Sequence, residues 1–534
     1  MRSDYLLHWL FAVSAVYNAA NLSAQAPQTS PSTPTFRINS TLVFLDVTVL
    51  DKSGRPVVTG LTNDDFTILE DKNPQRIFSF EAPQTHLMDP KAGDENPDGK
   101  APVTIFVLDL LNSNFEDFAY IRYEVKRFLI AQPEQLASPA ELMVIGNQSL
   151  EMLQGYTRSR SDLMNALEHL PTALPYKKMN GSFFWERFAQ SMDALQQIAL
   201  QNKGVPGRKN IIWVGHGGPG INLVPLDLPS KAEDELKQYV HSTTNMLVDA
   251  RISLFVIYPG LPVQGPDISM SAMEADADIA DNGNDPFAGD INFGVLVNET
   301  GGELFFNRND VDAEIARSQQ MGANYYTLTY QPQQGDQNGK FRRIRVTLRD
   351  RNLRAVTKAG YFAPDEHAPI NQRQQSMMKL AEAAQSTIPF TALDVRLANV
   401  LRHPDTGTVG FTVQLMSKNL DFLPTEDGKF VANLALAAVS LDGDQEIKAS
   451  RIESVRLLSS AQDSARSQAI VSAFRVRVRV PRNTRTVRVV MENQENGRIG
   501  AAELSCKAID AAPAASTPEP QITQRPEYVG SPSK

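Results

Sequence analysis

Asp109, Asn112 and Ser113 follow directly on an apolar run in Val103–Ser113 (VTIFVLDLLNS), and their types and spacing suit binding chemistry. A carboxylate, an amide and a hydroxyl within five residues can serve as polar binding contacts. The uninterrupted apolar run predicts a central strand buried on both faces, as in a parallel sheet. Ligands of open α/β sheets sit beyond the carboxyl ends of the strands, which is where Asp109 and Ser113 fall.

Other candidate constellations fail on their context. Gly215-His216-Gly217-Gly218-Pro219-Gly220 fits the dinucleotide spacing G-x-G-x-x-G after a strand. That motif needs a helix to begin inside it, and here Pro219 and an extended INLVPLDLP follow. His216-Gly217-Gly218 is similar to an esterase oxyanion loop, but the chain has no G-x-S-x-G elbow. The acids of Glu274–Asp290 do not follow the order of an EF-hand loop and read as a solvated acidic insert. Seven scattered histidines include no H-E-x-x-H, and the single Cys506 permits neither a disulfide nor a thiolate zinc site. Cys506 closes an alternating stretch and is expected as a small buried apolar residue. Trp185 and Trp213 are expected as packing residues. With no nucleophile–base set, the chain reads as a non-enzyme.

Composition narrows the class further. A chain of 534 residues is too long for one core, and 42% hydrophobic with 21% charged residues is the balance of globular protein. The formal net charge of -9 argues against nucleic acid, whose phosphates need a basic face. The arginines of Arg342–Arg354 lie at strand spacing and read as a solvated sheet face. Arg2, the mostly apolar Tyr5–Ala20 and Ala24-Gln25-Ala26 follow the order of a secretory signal peptide. Cleavage after Ala26 is expected, leaving a secreted, periplasmic or extracellular bacterial chain. No later stretch reaches the ~18 apolar residues of a membrane span.

The elements that must position the candidate residues follow from periodicity. After the signal (1–26) and a polar leader (27–35), residues 36–82 alternate as short strands, and 83–100 read as a linker. Strands alternate with helices over 101–323, which calls for a doubly wound parallel sheet. Alternation returns over 324–364. The economical arrangement is one β-sandwich, split into 36–82 and 324–364, with the α/β domain inserted in it. A Gln-rich helical or linking segment (365–389), a second β-sandwich (390–510) and a Pro/Ser/Thr-rich disordered tail (511–534) complete the chain.

The order of a strand ending in Asp, a Ser/Thr loop and a strand ending in a polar residue resembles a von Willebrand factor type A domain. The flanks LVFLDVTVLDKSGRPVVTGLTNDDFTILEDKNPQRIFSF and YYTLTYQPQQGDQNGKFRRIRVTLRDRNLRAVTKAGYFAP, with GRKNIIWV, resemble the type A-related family described from acidobacteria. The resemblance covers about 36–364 and carries no assigned activity. It implies a metal-ion-dependent adhesion site, an Asp-x-Ser-x-Ser loop with a Thr and an Asp from two further loops, open to a partner's carboxylate. Carried over, Asp109, Ser113 and Ser182 are the candidate metal ligands, and Asp109, Asn112, Ser113, Ser182 and His216 the candidate partner-binding set. Leu111 replaces the first Ser, and His216 stands where an Asp belongs; a neutral imidazole is a poor Mg²⁺ ligand. The expectation is no cofactor, or weakly bound Mg²⁺, Mn²⁺ or Ca²⁺. Two readings stay open: a secreted protein-binding or adhesion module, and an envelope scaffold with a vestigial site. An apolar plug at Leu111 would favour the second.

Overall fold

The computed structural model describes residues 42–88, 101–113, 115–147, 149–170, 184–223, 229–259, 285–287, 290–308, 310–332, 339–363, 372–416, 420–425, 428–459 and 471–515. The expected signal peptide, polar leader, Ser182, most of the acidic insert and residues 516–534 of the expected disordered tail lie outside them. Residues 511–515, expected as the start of that tail, are instead ordered, with Ala511 closing a helix and the Pro513 carbonyl accepting the Arg402 amide at 2.9 Å.

The described chain opens with four strands, β1 (Val43–Leu50), β2 (Phe66–Glu70), β3 (Asn73–Gln75) and β4 (Ile77–Glu81). An α/β segment follows: β5 (Val103–Asp109), α1 (Phe115–Ile130), β6 (Gln135–Ile145), β7 (Leu150–Ser159), α2 (Arg160–Glu168), α3 (Phe184–Asn202) and β8 (Lys209–Val214). It continues through β9 (Ile221–Asn222), α4 (Ser230–Asp249), β10 (Ile252–Pro259), β11 (Asp290–Ile291), α5 (Phe293–Thr300), β12 (Leu304–Arg308) and α6 (Val311–Ala323). Four more strands come next, β13 (Tyr326–Tyr330), β14 (Phe341–Leu348), β15 (Arg354–Val356) and β16 (Gly360–Phe362).

The six-stranded sheet has the order β12-β10-β8-β5-β6-β7. Its strands run parallel except β7, which is antiparallel to β6. Counted along the chain this is the doubly wound order 3-2-1-4-5-6, whose switch point lies between β5 and β8. All seven residues of β5 are buried, because helices cover both faces. Ile105 and Val107 pack with Phe188, Met192, Val240 and Leu296, whereas Phe106 and Leu108 pack with Ile121, Val125, Leu163 and Ile315. Helix α1 buries Ile121, Val125, Phe128 and Leu129 at helical spacing.

Strands before and after this segment share two antiparallel sheets, β15-β1-β13-β4 and β16-β14-β2-β3. Between them Val43, Leu45, Val47, Phe66, Ile68, Tyr326, Leu328 and Ile344 form one apolar cluster. The chain therefore leaves this pair of sheets after β4 and re-enters at β13. His86, within the segment read as a linker, is buried: its ring stacks on Tyr325 at 4.2 Å and its Nδ1 lies 3.2 Å from the Tyr325 carbonyl oxygen.

The third region holds α7 (Gln372–Gln385), β17 (Val395–His403), β18 (Thr408–Met416), β19 (Leu423–Pro424) and β20 (Phe430–Leu441). It ends with β21 (Ile447–Ser459), β22 (Val471–Arg479), β23 (Thr486–Asn493), β24 (Ile499–Ser505) and α8 (Cys506–Ala511). One sheet is β17-β18-β22; the other contains β20, β21, β23, β24 and β19. Helix α7 is more than a linker. Its Leu380, Ala383 and Ala384 pack against Ala435, Val490 and, on α3, Leu200. Cys506 corrects another expectation: it is half-buried and begins α8, where Ser505 accepts a capping hydrogen bond from the Ala508 amide.

Candidate functional site

The end of β5 and the turn after β8 meet at the switch point. Asp109 is fully buried there. Its Oδ1 accepts hydrogen bonds from the Asn112 amide (2.8 Å) and Asn112 Nδ2 (3.2 Å). Its Oδ2 accepts from Trp213 Nε1 (2.9 Å), the Gly217 amide (2.9 Å) and Asn112 Nδ2 (3.2 Å). A carboxylate offers about four lone-pair sites, and these donors occupy them. Burial raises the Asp109 carboxyl above its ordinary value, while the Trp213 and Asn112 hydrogen bonds pull it the other way.

Glycine makes this approach possible. Gly215 has φ +146°, and a Cβ there would lie 2.3 Å from Asp109 Cβ. The Gly217 amide reaches the carboxylate from a left-handed turn at φ +70°.

Expected at a partner-facing edge, Asp109, Asn112 and Ser113 are instead covered, with Asn112 the most accessible at 5%. The donors that turn inward to satisfy Asp109 also close the loop over it. Asn112 Nδ2 lies 3.2 Å from Ser191 Oγ on α3, binding the loop to that helix. Asn112 Oδ1 and Ser113 Oγ are buried without a hydrogen-bond partner among the described residues. Leu111, only 1% exposed, belongs to the apolar cluster of Ile105, Phe188 and Met192.

His216 is the candidate that does reach the surface. Its Nε2 sits 3.0 Å from Asp117 Oδ2 in the first turn of α1, with side chains 12% and 23% exposed. Tyr258 meets the imidazole edge-on at 5.6 Å. Its hydroxyl is pushed up by burial and by the charge of Asp109. Thus Asp109, Asn112, Ser113 and His216 come together, and Ser182 lies outside the described residues.

Sequence reasoning missed Trp213, Asp117 and Ser191. Val107 of β5 pairs with Trp213 of β8, which brings the indole beside Asp109. Asp117 carried a signal, since an acid in a first helical turn is favourable by itself, but that signal does not name a partner. Among the described residues no group of three or more His, Cys, Asp or Glu side chains could hold a metal ion. None of the described helices is long and apolar enough to cross a membrane.

No family model and no curated protein matches the chain. Among solved structures, a point mutant of the PilB minor pilin from Streptococcus sanguinis is 12% identical, with TM-score 0.27, over 44% of this chain and 63% of the pilin chain. The SpRpn10 VWA domain is 18% identical, with TM-score 0.19, over 30% of this chain and 77% of the domain. A second PilB minor pilin structure from the same organism is 12% identical, with TM-score 0.21, over 32% and 51%. These are likenesses only.

Proposed function

We propose that the chain is a secreted, non-enzymatic protein-binding module whose type A-like domain works without a metal ion. The observation that carries the metal-free part is the saturation of Asp109 by protein N–H groups. A cation at that carboxylate would meet the positive ends of the Trp213, Gly217 and Asn112 dipoles. The described residues around Asp109 therefore do not fit a divalent ion. Secretion rests on Tyr5–Ala20 and Ala24-Gln25-Ala26.

Partner contact then falls to the His216–Asp117 pair and to the exposed side of α1. Phe115, at the start of that helix, is 62% exposed, and Tyr123 and Ile130 farther along are 60% and 59% exposed. Large apolar side chains left in water are what an interface uses as anchors.

The test is capture of proteins from the envelope and culture fluid on the immobilised mature chain, with and without EDTA. Capture should persist in EDTA and weaken in Phe115→Ser and His216→Ala. Release by EDTA would overturn the metal-free reading, and equal capture by both variants would overturn this face. A second reading, an envelope scaffold with a vestigial site, is favoured by the packing of Leu111 into the core. Equal capture by both variants, with loss on deletion of the C-terminal β region, would select it.

A further inference from the structure

A second polar site lies at the opposite end of the α/β sheet, where the inserted domain meets the split sandwich. A cavity of ≈20 Å³ there is lined by Asp46 of β1, Arg251 and Ser253 at the start of β10, Thr300 at the end of α5, and Thr357 and Lys358 just before β16. The walls are close-set. A Cβ on Gly301 would stand 2.5 Å from the Thr357 carbonyl carbon and 2.6 Å from the Lys358 nitrogen.

The charges in this cavity do not cancel. Asp46 accepts Arg251 Nε at 3.0 Å, Arg251 Nη2, and the Thr327 hydroxyl at 2.9 Å, and none of its described hydrogen bonds comes from Lys358. Arg251 holds this fork from a left-handed backbone, φ +56°, which a non-glycine residue adopts at a cost. Lys358, half-buried, has no hydrogen-bond or ion-pair partner among the described residues. The Thr357 hydroxyl oxygen is buried without a hydrogen-bond partner among them.

We propose that this cavity binds one small monovalent anion, a halide or a carboxylate head, between Lys358 and Arg251, with the Thr357 hydroxyl donating to it. Charge favours an anion: Lys358 and Arg251 of the lining, with Arg208 bonded to the lining Ser253, outnumber Asp46 and the neighbouring Asp249. Size limits it: one water needs about 10–15 Å³, so this space holds one small species and excludes a phosphate ester. The donors supply the contacts, since the buried Thr357 hydroxyl and the half-buried Lys358 ammonium gain by acquiring an acceptor.

The site is pH-dependent. The charged groups facing Lys358 are Asp249 of α4, Asp46 of β1 and Arg251. Burial brings its ammonium down to about 8, the two carboxylates hold it up, and Arg251 lowers it further. Below that value the lysine is a cation and the anion is held; above it the anion is released.

Chloride NMR line broadening by the full chain tests this directly. The line should broaden saturably near neutral pH and narrow as pH rises through about 8. Lys358→Met should weaken binding about tenfold or more, as expected for a lost charge-assisted contact, while Lys358→Arg retains it. Displacement by acetate would show that carboxylates enter; broadening that acetate leaves intact would mark a halide site. Unchanged broadening in folded Lys358→Met, or none in the wild type, would overturn the proposal. Should Lys358→Met not fold, saturation and the pH profile of the wild type decide.

Discussion

Trp213 Nε1 donates to Asp109 Oδ2 at 2.9 Å, so the two central strands of the α/β sheet are joined side chain to side chain at the switch point. The indole supplies in neutral form part of what a cation would otherwise supply. Trp213→Phe keeps the ring and removes the donor. A hydrogen bond to a buried charge contributes about 1.5–3 kcal/mol, and unfolding in urea should show a loss of that order. Added Mg²⁺ should not restore it; restoration would mean that a metal can take the indole's place.

Gly215→Ala should be among the most damaging small substitutions in the chain. The new methyl would stand 2.3 Å from Asp109 Cβ, at a φ that L side chains rarely adopt. The expected loss exceeds about 2 kcal/mol or abolishes soluble expression. Gly443→Ala, where a Cβ meets nothing within 4 Å, is the control and should be near neutral by thermal melting.

Stability should decline toward alkaline pH through Glu141. This residue of β6 is fully buried, and burial raises its carboxyl to about 8, with Tyr156 and Gln201 offsetting part of that rise. Folded Glu141 thus keeps a proton that the unfolded chain releases near its ordinary value of 4.5. Its contribution is complete below the ordinary value and is lost as pH rises through about 8, with a slope of about 1.4 kcal/mol per pH unit in between. Glu141→Gln should flatten the profile by one proton's worth; an unchanged slope would rule out this assignment.

Gln197 of α3 holds the C-terminal region to the α/β domain. Its Oε1 accepts the Ser386 hydroxyl at 2.7 Å and the Thr387 amide at 3.0 Å. Gln197→Ala should strip these contacts and lower the stability of that junction by about 1–3 kcal/mol. Differential scanning calorimetry should then show the melting endotherm broaden or split. A uniform downward shift of one sharp transition would mean that these contacts do not control the coupling.

Periodicity revealed the architecture more readily than the site. Val103–Asp109 is legible because seven consecutive residues find apolar or satisfied surroundings on both faces, which leaves an unbroken run. Helix α1 is legible because Ile121, Val125, Phe128 and Leu129 repeat at its period. The Asp109 contacts are not legible in the same way. NIIWV looks alike whether or not the indole has a partner, and the partner is 104 positions away. Leu111 shows that one expected oxygen is missing, but only packing shows apolar side chains closing around it. Cys506 was misplaced because alternation ends one residue before it, at a Ser whose side chain caps a helix.

The passage from β4 into the α/β segment and back at β13 has a mechanical consequence. The carboxyl end of β4 and the amino end of β13 lie side by side in one antiparallel pairing. Tension applied at the His216 face would therefore pass into this pair of sheets through two covalent leads, pulled in the same direction. Strand β13 is also paired with β1 over five consecutive rungs. Loaded along its length, that ladder resists as a block, with its rungs strained together and not peeled one at a time. A chain that tethers a partner under flow would gain grip from this placement of its two leads.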